Sequence, residues 1–328
     1  MSTQLEAVGV VVIGRNEGQR LERCLRALVT RVDTVVYVDS GSTDGSVQLA
    51  HQLGVHVLAL DLSIPFTAAR ARNEGFARLH QLQPGLNMVQ FVDGDCEIDP
   101  QWLPTAHAFL QRHAQVAVVC GRRRERFAQQ SVYNQLCDLE WDTPVGQAKA
   151  CGGDALMRAQ AFASVGGFRT GLIAGEEPEL CVRLRAAGWK VWRLDAEMTL
   201  HDAAMTRFSQ WWRRSMRAGY AYAEGAWLHG AAPERHWVRE SRRAWVWGLG
   251  IPLLTLLACL MFGAGGLALL LLYPLQILRL ARRGALAPRQ RRLQALFLVL
   301  GKFPEAVGQL KFWRQRLLPG KSALIEYK

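Results

Sequence analysis

Thirty-five consecutive residues, Ala244 to Leu278, carry no charged side chain. As one helix rising ~1.5 Å per residue they would extend ~50 Å, against a hydrocarbon thickness of ~30 Å. A single span would be badly mismatched, and a soluble core explanation fails on length. Gly263-Ala264-Gly265-Gly266 lies mid-run and offers a turn. Arg242 and Arg243 precede the run, and Arg279, Arg282 and Arg283 follow it. The excess of arginine at both ends places both on the cytoplasmic side. The reading is a helical hairpin over 244–280, as two short spans or as a re-entrant loop.

Charge supports a membrane surface and not nucleic acid as the basic region's partner. Residues 1–200 hold 20 Lys+Arg against 22 Asp+Glu, whereas 201–328 hold 20 against 6, so the whole +12 excess lies beside the apolar run. Basic flanks next to an apolar segment suit anionic lipid. Seven cysteines are scattered with no Cys-x-x-Cys pair, which implies neither a disulfide framework nor a zinc site. A reducing, cytosolic setting follows. Ala7 to Ile13 is short and lacks a basic start, so it is not read as a signal peptide.

The first half of the chain alternates two patterns. Val8–Ile13, Thr34–Val38, Val55–Leu60 and Met88–Val92 are continuous apolar runs, the mark of strands covered on both faces. Between them lie helical patterns, the first capped by Asn16 and the third spanning Thr67–Leu82. This rhythm predicts an α/β domain with a doubly wound, mostly parallel sheet, whose ligands sit at the carboxyl ends of the strands. Asn16, Asp39 and Asp93 all fall there. Farther on, Val116–Cys120 reads as a strand, and Gly121–Arg126 as a solvated basic face or, alternatively, a phosphate or acceptor contact. Ala148–Met157 reads as a strand through a double glycine, and Glu176–Ala187 as a helix. Trp189–Leu194 and Glu197–Leu200 read as two short strands.

The strand Met88–Val92 runs into Asp93, Asp95, Glu97 and Asp99. Acids this dense repel one another unless a cation sits between them, and oxygen ligands suit Mg²⁺ or Mn²⁺. An acidic strand-to-helix turn explains the same residues without a metal.

Val12-Ile13-Gly14-Arg15-Asn16-Glu17, Val38-Asp39-Ser40-Gly41-Ser42-Thr43-Asp44-Gly45 and Ala71-Arg72-Asn73-Glu74-Gly75 resemble the nucleotide-binding signatures of family 2 glycosyltransferases. Asp93-Gly94-Asp95 looks like their Asp-x-Asp motif. Ser164–Phe168 and Glu176–Leu180 resemble the acceptor-side motifs. The likeness runs in family order over about residues 7–205. It implies a GT-A fold, a nucleotide-diphosphate sugar donor (UDP-, GDP- or dTDP-linked), a divalent cation, and inversion at the anomeric carbon.

Residue roles follow from that resemblance and from chemistry. Asn16, Glu17, Asp39, Arg72 and Asp93 are assigned to the donor. Asp39 would accept from a base N–H, and Arg72 would neutralise phosphate or hold the base. Ser40 stands where the family often has a second acid. Asp95 is assigned to the metal, with His201 as a further ligand. Glu177, with Glu176 beside it, is the candidate base that takes the acceptor's proton; the related motif usually has aspartate at that position. A helix-opening acid needs no such role, because the macrodipole already favours it. Gln210, Trp211 and Arg213 partly resemble the Gln-x-x-Arg-Trp motif of processive relatives, with Arg214 in the place of tryptophan, and are candidates for diphosphate or acceptor contact.

Four regions are expected: a catalytic domain over 1–205, interfacial aromatic and arginine-rich helices over 206–243, the hairpin over 244–280, and a basic amphipathic segment over 281–328. The function expected is an inverting glycosyltransferase of the cytoplasmic membrane face, with its catalytic domain in the cytoplasm and a lipid-linked or polysaccharide-precursor acceptor. The alternatives are a tethered transferase for a soluble or protein acceptor, and a non-catalytic sugar-nucleotide-binding membrane protein. Acids at Asp93, Asp95 and Glu177 speak against the last.

Overall fold

A computed structural model describes residues 7–283 and 286–318. The chain divides into two compact units: Met1–Leu172 with Glu176–Thr206, and Arg207–Lys328 joined by Ile173–Gly175.

The first unit is built on one nine-stranded sheet. Its strands are β1 (Val8–Gly14), β2 (Thr34–Asp39), β3 (His56–Ala59), β4 (Met88–Asp93), β5 (Cys96–Ile98), β6 (Val116–Glu125), β7 (Gly146–Ala148), β8 (Ala155–Arg158) and β9 (Lys190–His201). The order is β3-β2-β1-β4-β8-β6-β9-β5, with β7 paired to β9. β1 to β4 are mutually parallel, and the apolar runs of β1 and β2 are buried along nearly their whole length, whereas β3 is a partly exposed edge strand. β8 then runs antiparallel to both β4 and β6, and β9 runs parallel to β6. β2, β4, β6 and β9 therefore all end at one edge of the sheet. That edge collects Asp39, Asp93, Glu125 and His201.

Several local expectations are corrected. Asn16 caps no helix: it adopts φ 54°, and the helix Gln19–Leu28 is preceded by Gly18 at its N-cap. The basic run is no solvated face. β6 continues through it to Glu125, with register shifts around Arg122, and Arg122 and Glu125 are both buried. The double glycine Gly152-Gly153 is a loop between β7 and β8. The two short strands expected after Trp189 are one, β9.

The second unit is helical. The helix Phe208–His229 packs closely on the helix Lys302–Leu317, with glycines where the backbones meet. A Cβ on Gly219 would lie 2.1 Å from the Glu305 carbonyl oxygen, and one on Gly308 would lie 2.0 Å from that of Met216. Where an interfacial segment is expected, Lys302–Leu317 thus buries Ala306, Gly308, Gln309 and Phe312 in a helix pair. Residues 284–285 and 319–328 of the expected basic segment lie outside the described residues.

The uncharged run folds back on itself. Val246–Gly250 and Ile251–Phe262 form one leg, Gly263 turns at φ 61°, and the 3₁₀ helix Gly263–Leu271 returns into the helix Leu272–Ala281. Only glycine adopts that φ without strain. Gly266 lies against the backbone of Ala258 and Cys259, and the Tyr273 hydroxyl donates to the Trp247 carbonyl at 2.7 Å. A straight helix would separate those two residues by ~39 Å. The continuous 44-residue helical segment Val238–Ala281, which contains an 18-residue window of mean hydropathy 2.3, is therefore a hairpin.

Candidate active site

The acidic strand end is organised by two arginines. Arg72, on the helix Ala68–Leu82, donates from Nη2 to Asp93 Oδ1 at 2.7 Å and from Nη1 to Glu176 Oε1 at 2.8 Å. Arg123, from β6, donates to Asp93 Oδ2 at 3.0 Å and lies 3.2 Å from Asp154 Oδ2. Burial alone would raise the Asp93 carboxyl, but the two guanidiniums hold it well below the usual carboxylate range. The chain Arg123–Asp93–Arg72–Glu176 thus ties the end of β4 to the N-terminus of the helix Glu176–Ala186.

Asp95 takes a different set of neighbours. Its Oδ1 lies 3.4 Å from Nε2 of His201, and His201 Nδ1 lies 3.3 Å from Glu125 Oε2. Asp95, Cys96 and His201 place an oxygen, a sulfur and a nitrogen donor within 4.8 Å of one another. Two ligands bound at right angles ~2.1 Å from a cation sit ~3 Å apart, so the Asp95–His201 spacing fits a shared Mn²⁺ or Mg²⁺. Asp93 and Asp154 also bring a carboxylate oxygen each within 4.8 Å of Cys96 Sγ. Asp93, already committed to both arginines, is the less suitable ligand.

Glu177 is 6% exposed and sits over two thiols. Its Oε1 accepts from the Cys151 N–H and from Cys181 Sγ at 3.1 Å. Burial pushes its carboxyl above the ordinary range, and the hydrogen bonds from Cys151 and Cys181 offset part of that. A carboxylate made more basic by desolvation is a better proton acceptor near neutral pH.

The loops after β1 and β2 are laced together. Asn16 Oδ1 accepts from Thr43 N at 2.7 Å, and Asn16 N donates to Ser42 Oγ at 2.9 Å. Asp39 receives the Tyr37 hydroxyl on one oxygen and the N–H groups of Gly41 and Ser42 on the other, each at 2.9 Å. It therefore organises its own turn. Glu17 pairs with Arg20 at 2.7 Å. Gln210, Trp211 and Arg213 belong to the second unit. There Gln210 Oε1 accepts from Arg207 N, Trp211 packs edge-on against Phe297 at 5.0 Å, and Arg213 is exposed.

Arg123, Glu125 and Asp154 are absent from the sequence-based site. Asp154 is fully buried, accepting from Asp93 N at 3.0 Å and Thr199 Oγ1 at 2.8 Å. One signal was available: a lone glutamate among four arginines, directly after an apolar strand run.

Residues 9–147 match the family model described as glycosyl transferase family 2. These residues belong to that family. The chain is also similar to the succinoglycan biosynthesis protein ExoA of Rhizobium meliloti, 29% identical over 199 residues, or 57% of this chain and 60% of ExoA. The glycosyltransferase AglE of Haloferax volcanii is 30% identical over 111 residues, 31% of this chain and 35% of AglE. The chain thus spans less than two thirds of either relative. Among solved structures, mannosyltransferase PcManGT from Pyrobaculum calidifontis, in complex with GDP-Man and Mn²⁺, superposes with a TM-score of 0.63. It covers 94% of this chain and 88% of its own at 18% identity. Glucosyl-3-phosphoglycerate synthase from Mycobacterium tuberculosis, with Mn²⁺, UDP and phosphoglyceric acid, gives 0.50 at 17% identity, covering 69% and 80%. The shared feature is the GT-A fold of the family 2 domain.

Proposed function

We propose that the chain transfers a sugar, with inversion, from a nucleoside-diphosphate donor to a lipid-linked or polysaccharide-precursor acceptor at the cytoplasmic membrane face. The observation that carries the reading is the 3.4 Å Asp95–His201 pair beside the arginine-clamped Asp93, within a family 2 domain. GDP-Man with Mn²⁺ in PcManGT, and Mn²⁺ with UDP in the synthase, support the donor class and the cation. The biosynthetic role in ExoA's name supports a polysaccharide-precursor acceptor.

Asp95 and His201 would hold Mn²⁺ or Mg²⁺, which supplies positive charge to a departing diphosphate. Asn16 and Asp39 shape the loops that receive the nucleotide. Arg72 and Arg123 hold Asp93 toward the sugar or ribose hydroxyls, and Glu176 positions Arg72. Glu177 takes the proton as the acceptor oxygen bonds to the anomeric carbon and the bond from that carbon to the diphosphate oxygen breaks. The hairpin over 244–280 enters the bilayer, as two short spans or as a re-entrant loop.

The test is a turnover screen over UDP-, GDP- and dTDP-sugars with membrane lipid extracts as acceptor, with Mn²⁺ and with chelator. Chelator-sensitive release of a nucleoside diphosphate is expected with one donor. Donor binding without turnover in any combination would replace this reading with the non-catalytic one.

A further inference from the structure

Two adjoining cavities in the second unit lie at the base of the hairpin, where Tyr273 bonds to Trp247. The larger, of about 380 Å³, is lined by Arg235, Arg239, Arg242 and Arg243 together with Val238, Val246 and Trp247. The smaller, of about 170 Å³, shares Arg243 and Trp247 and adds Arg279, Arg283 and Lys302. Among the described residues, no carboxylate lines either cavity. Lys302 is paired with Glu305 at 2.5 Å, so the arginines supply the rest of the positive charge in the lining.

The placement follows from the sequence. Arg239, Arg242, Arg243 and Val246 fall at helical spacing i, i+3, i+4 and i+7, on one face. The hairpin brings Arg279 and Arg283 back to the same end. Like charges on one face repel one another, and an anion between them removes that cost. Guanidinium forks match phosphate oxygens in pairs. Immediately beyond the cavities the hairpin presents an apolar wall, with Leu253, Leu254, Leu257 and Leu260 between 48% and 75% exposed. Cation cluster, indole at the boundary and apolar wall follow one another in the order of a lipid's headgroup, glycerol and acyl chain.

We infer that this is a binding site for an anionic membrane phospholipid, with its phosphate among Arg239, Arg242 and Arg243 and its acyl chain along the hairpin. The inference rests on the membrane placement of the hairpin and is independent of the sugar chemistry.

The test is vesicle flotation of the full chain on phosphatidylcholine alone and on phosphatidylcholine with phosphatidylglycerol, combined with native mass spectrometry of the detergent-purified protein. Wild type is expected to float with both vesicles, more tightly with phosphatidylglycerol, and to carry phosphatidylglycerol into the spectrometer. The triple variant Arg239→Gln, Arg242→Gln, Arg243→Gln should still float on phosphatidylcholine and lose both the phosphatidylglycerol preference and the bound lipid. Arg282, Arg289 and Arg292 are exposed and line neither cavity. Their triple change to Gln should keep the bound lipid. An equal loss in that control would reduce the effect to general surface charge and overturn the site. Displacement of the lipid by inorganic phosphate at equal concentration would make the ligand a soluble phosphate and overturn the lipid assignment. Failure of wild type to float on phosphatidylcholine would instead strike the membrane placement.

Discussion

Oε2 of Glu125 lies 3.3 Å from Nδ1 of His201, and the other ring nitrogen lies 3.4 Å from Asp95. The imidazole is held between two carboxylates, with Nε2 directed at the candidate metal ligand. Glu125 is anchored in turn by the Ala203 N–H at 3.0 Å and the Phe127 N–H at 3.1 Å. A carboxylate behind a ligating histidine sets its orientation and basicity. Glu125→Gln should weaken Mn²⁺ binding by about 10- to 100-fold. Titration by electron paramagnetic resonance reads this directly, and an unchanged affinity would remove Glu125 from the site.

Asp95→Ala should abolish Mn²⁺ binding in the same titration, whereas Asp93→Asn should retain it. A variant pair with the opposite pattern would exchange the roles of the two aspartates.

Arg72 is 3% exposed and answers both Asp93 and Glu176. Removing one partner of a buried ion pair strands the other, at about 3–5 kcal/mol. Arg72→Ala should lose stability of that order in urea unfolding of the full chain. A change below about 1 kcal/mol, the range of exposed ion pairs, would mean the pair is solvated.

Glu177 titrates above its ordinary value because it is buried. A raised carboxyl favours the folded state while protonated, so its contribution is fully present below the unfolded pKa and is lost as pH rises through the folded one. Glu177→Gln should therefore gain stability relative to wild type as pH rises across that window, read by melting temperature. It should also keep donor binding and lose transfer. Full activity in this variant would move the base elsewhere, with Glu176→Gln as the next test.

Gly308→Ala places a methyl group against the Met216 carbonyl oxygen. Overpacking of this kind costs about 1–3 kcal/mol, and the melting temperature should fall. Ala at Gly265, which has open space around it, is the control.

Much of the family 2 domain was legible. β1, β2 and β4 are written as apolar runs because parallel strands are covered on both faces, and Asp39, Asp93 and Asp95 follow them directly. The hairpin was legible because lipid-length apolar runs without charge have few other uses. What local pattern misled was β6. Four arginines hid a strand, since alternation cannot be read when both faces carry polar residues.

The sequence by itself thus determined the first four strands with the helical patterns between them, the acids at their ends and the turn at Gly263, all set by periodicity and composition over a few residues. Only the tertiary structure decided which acids are paired with arginine and which lie beside His201. Arg123 reaches Asp93 across 30 residues, Thr199 reaches Asp154 across 45 and Glu125 meets His201 across 76. Those meetings depend on the pairing of β4, β8, β6 and β9. Strand pairing is set by the packing of the whole sheet, which short-range patterns do not record.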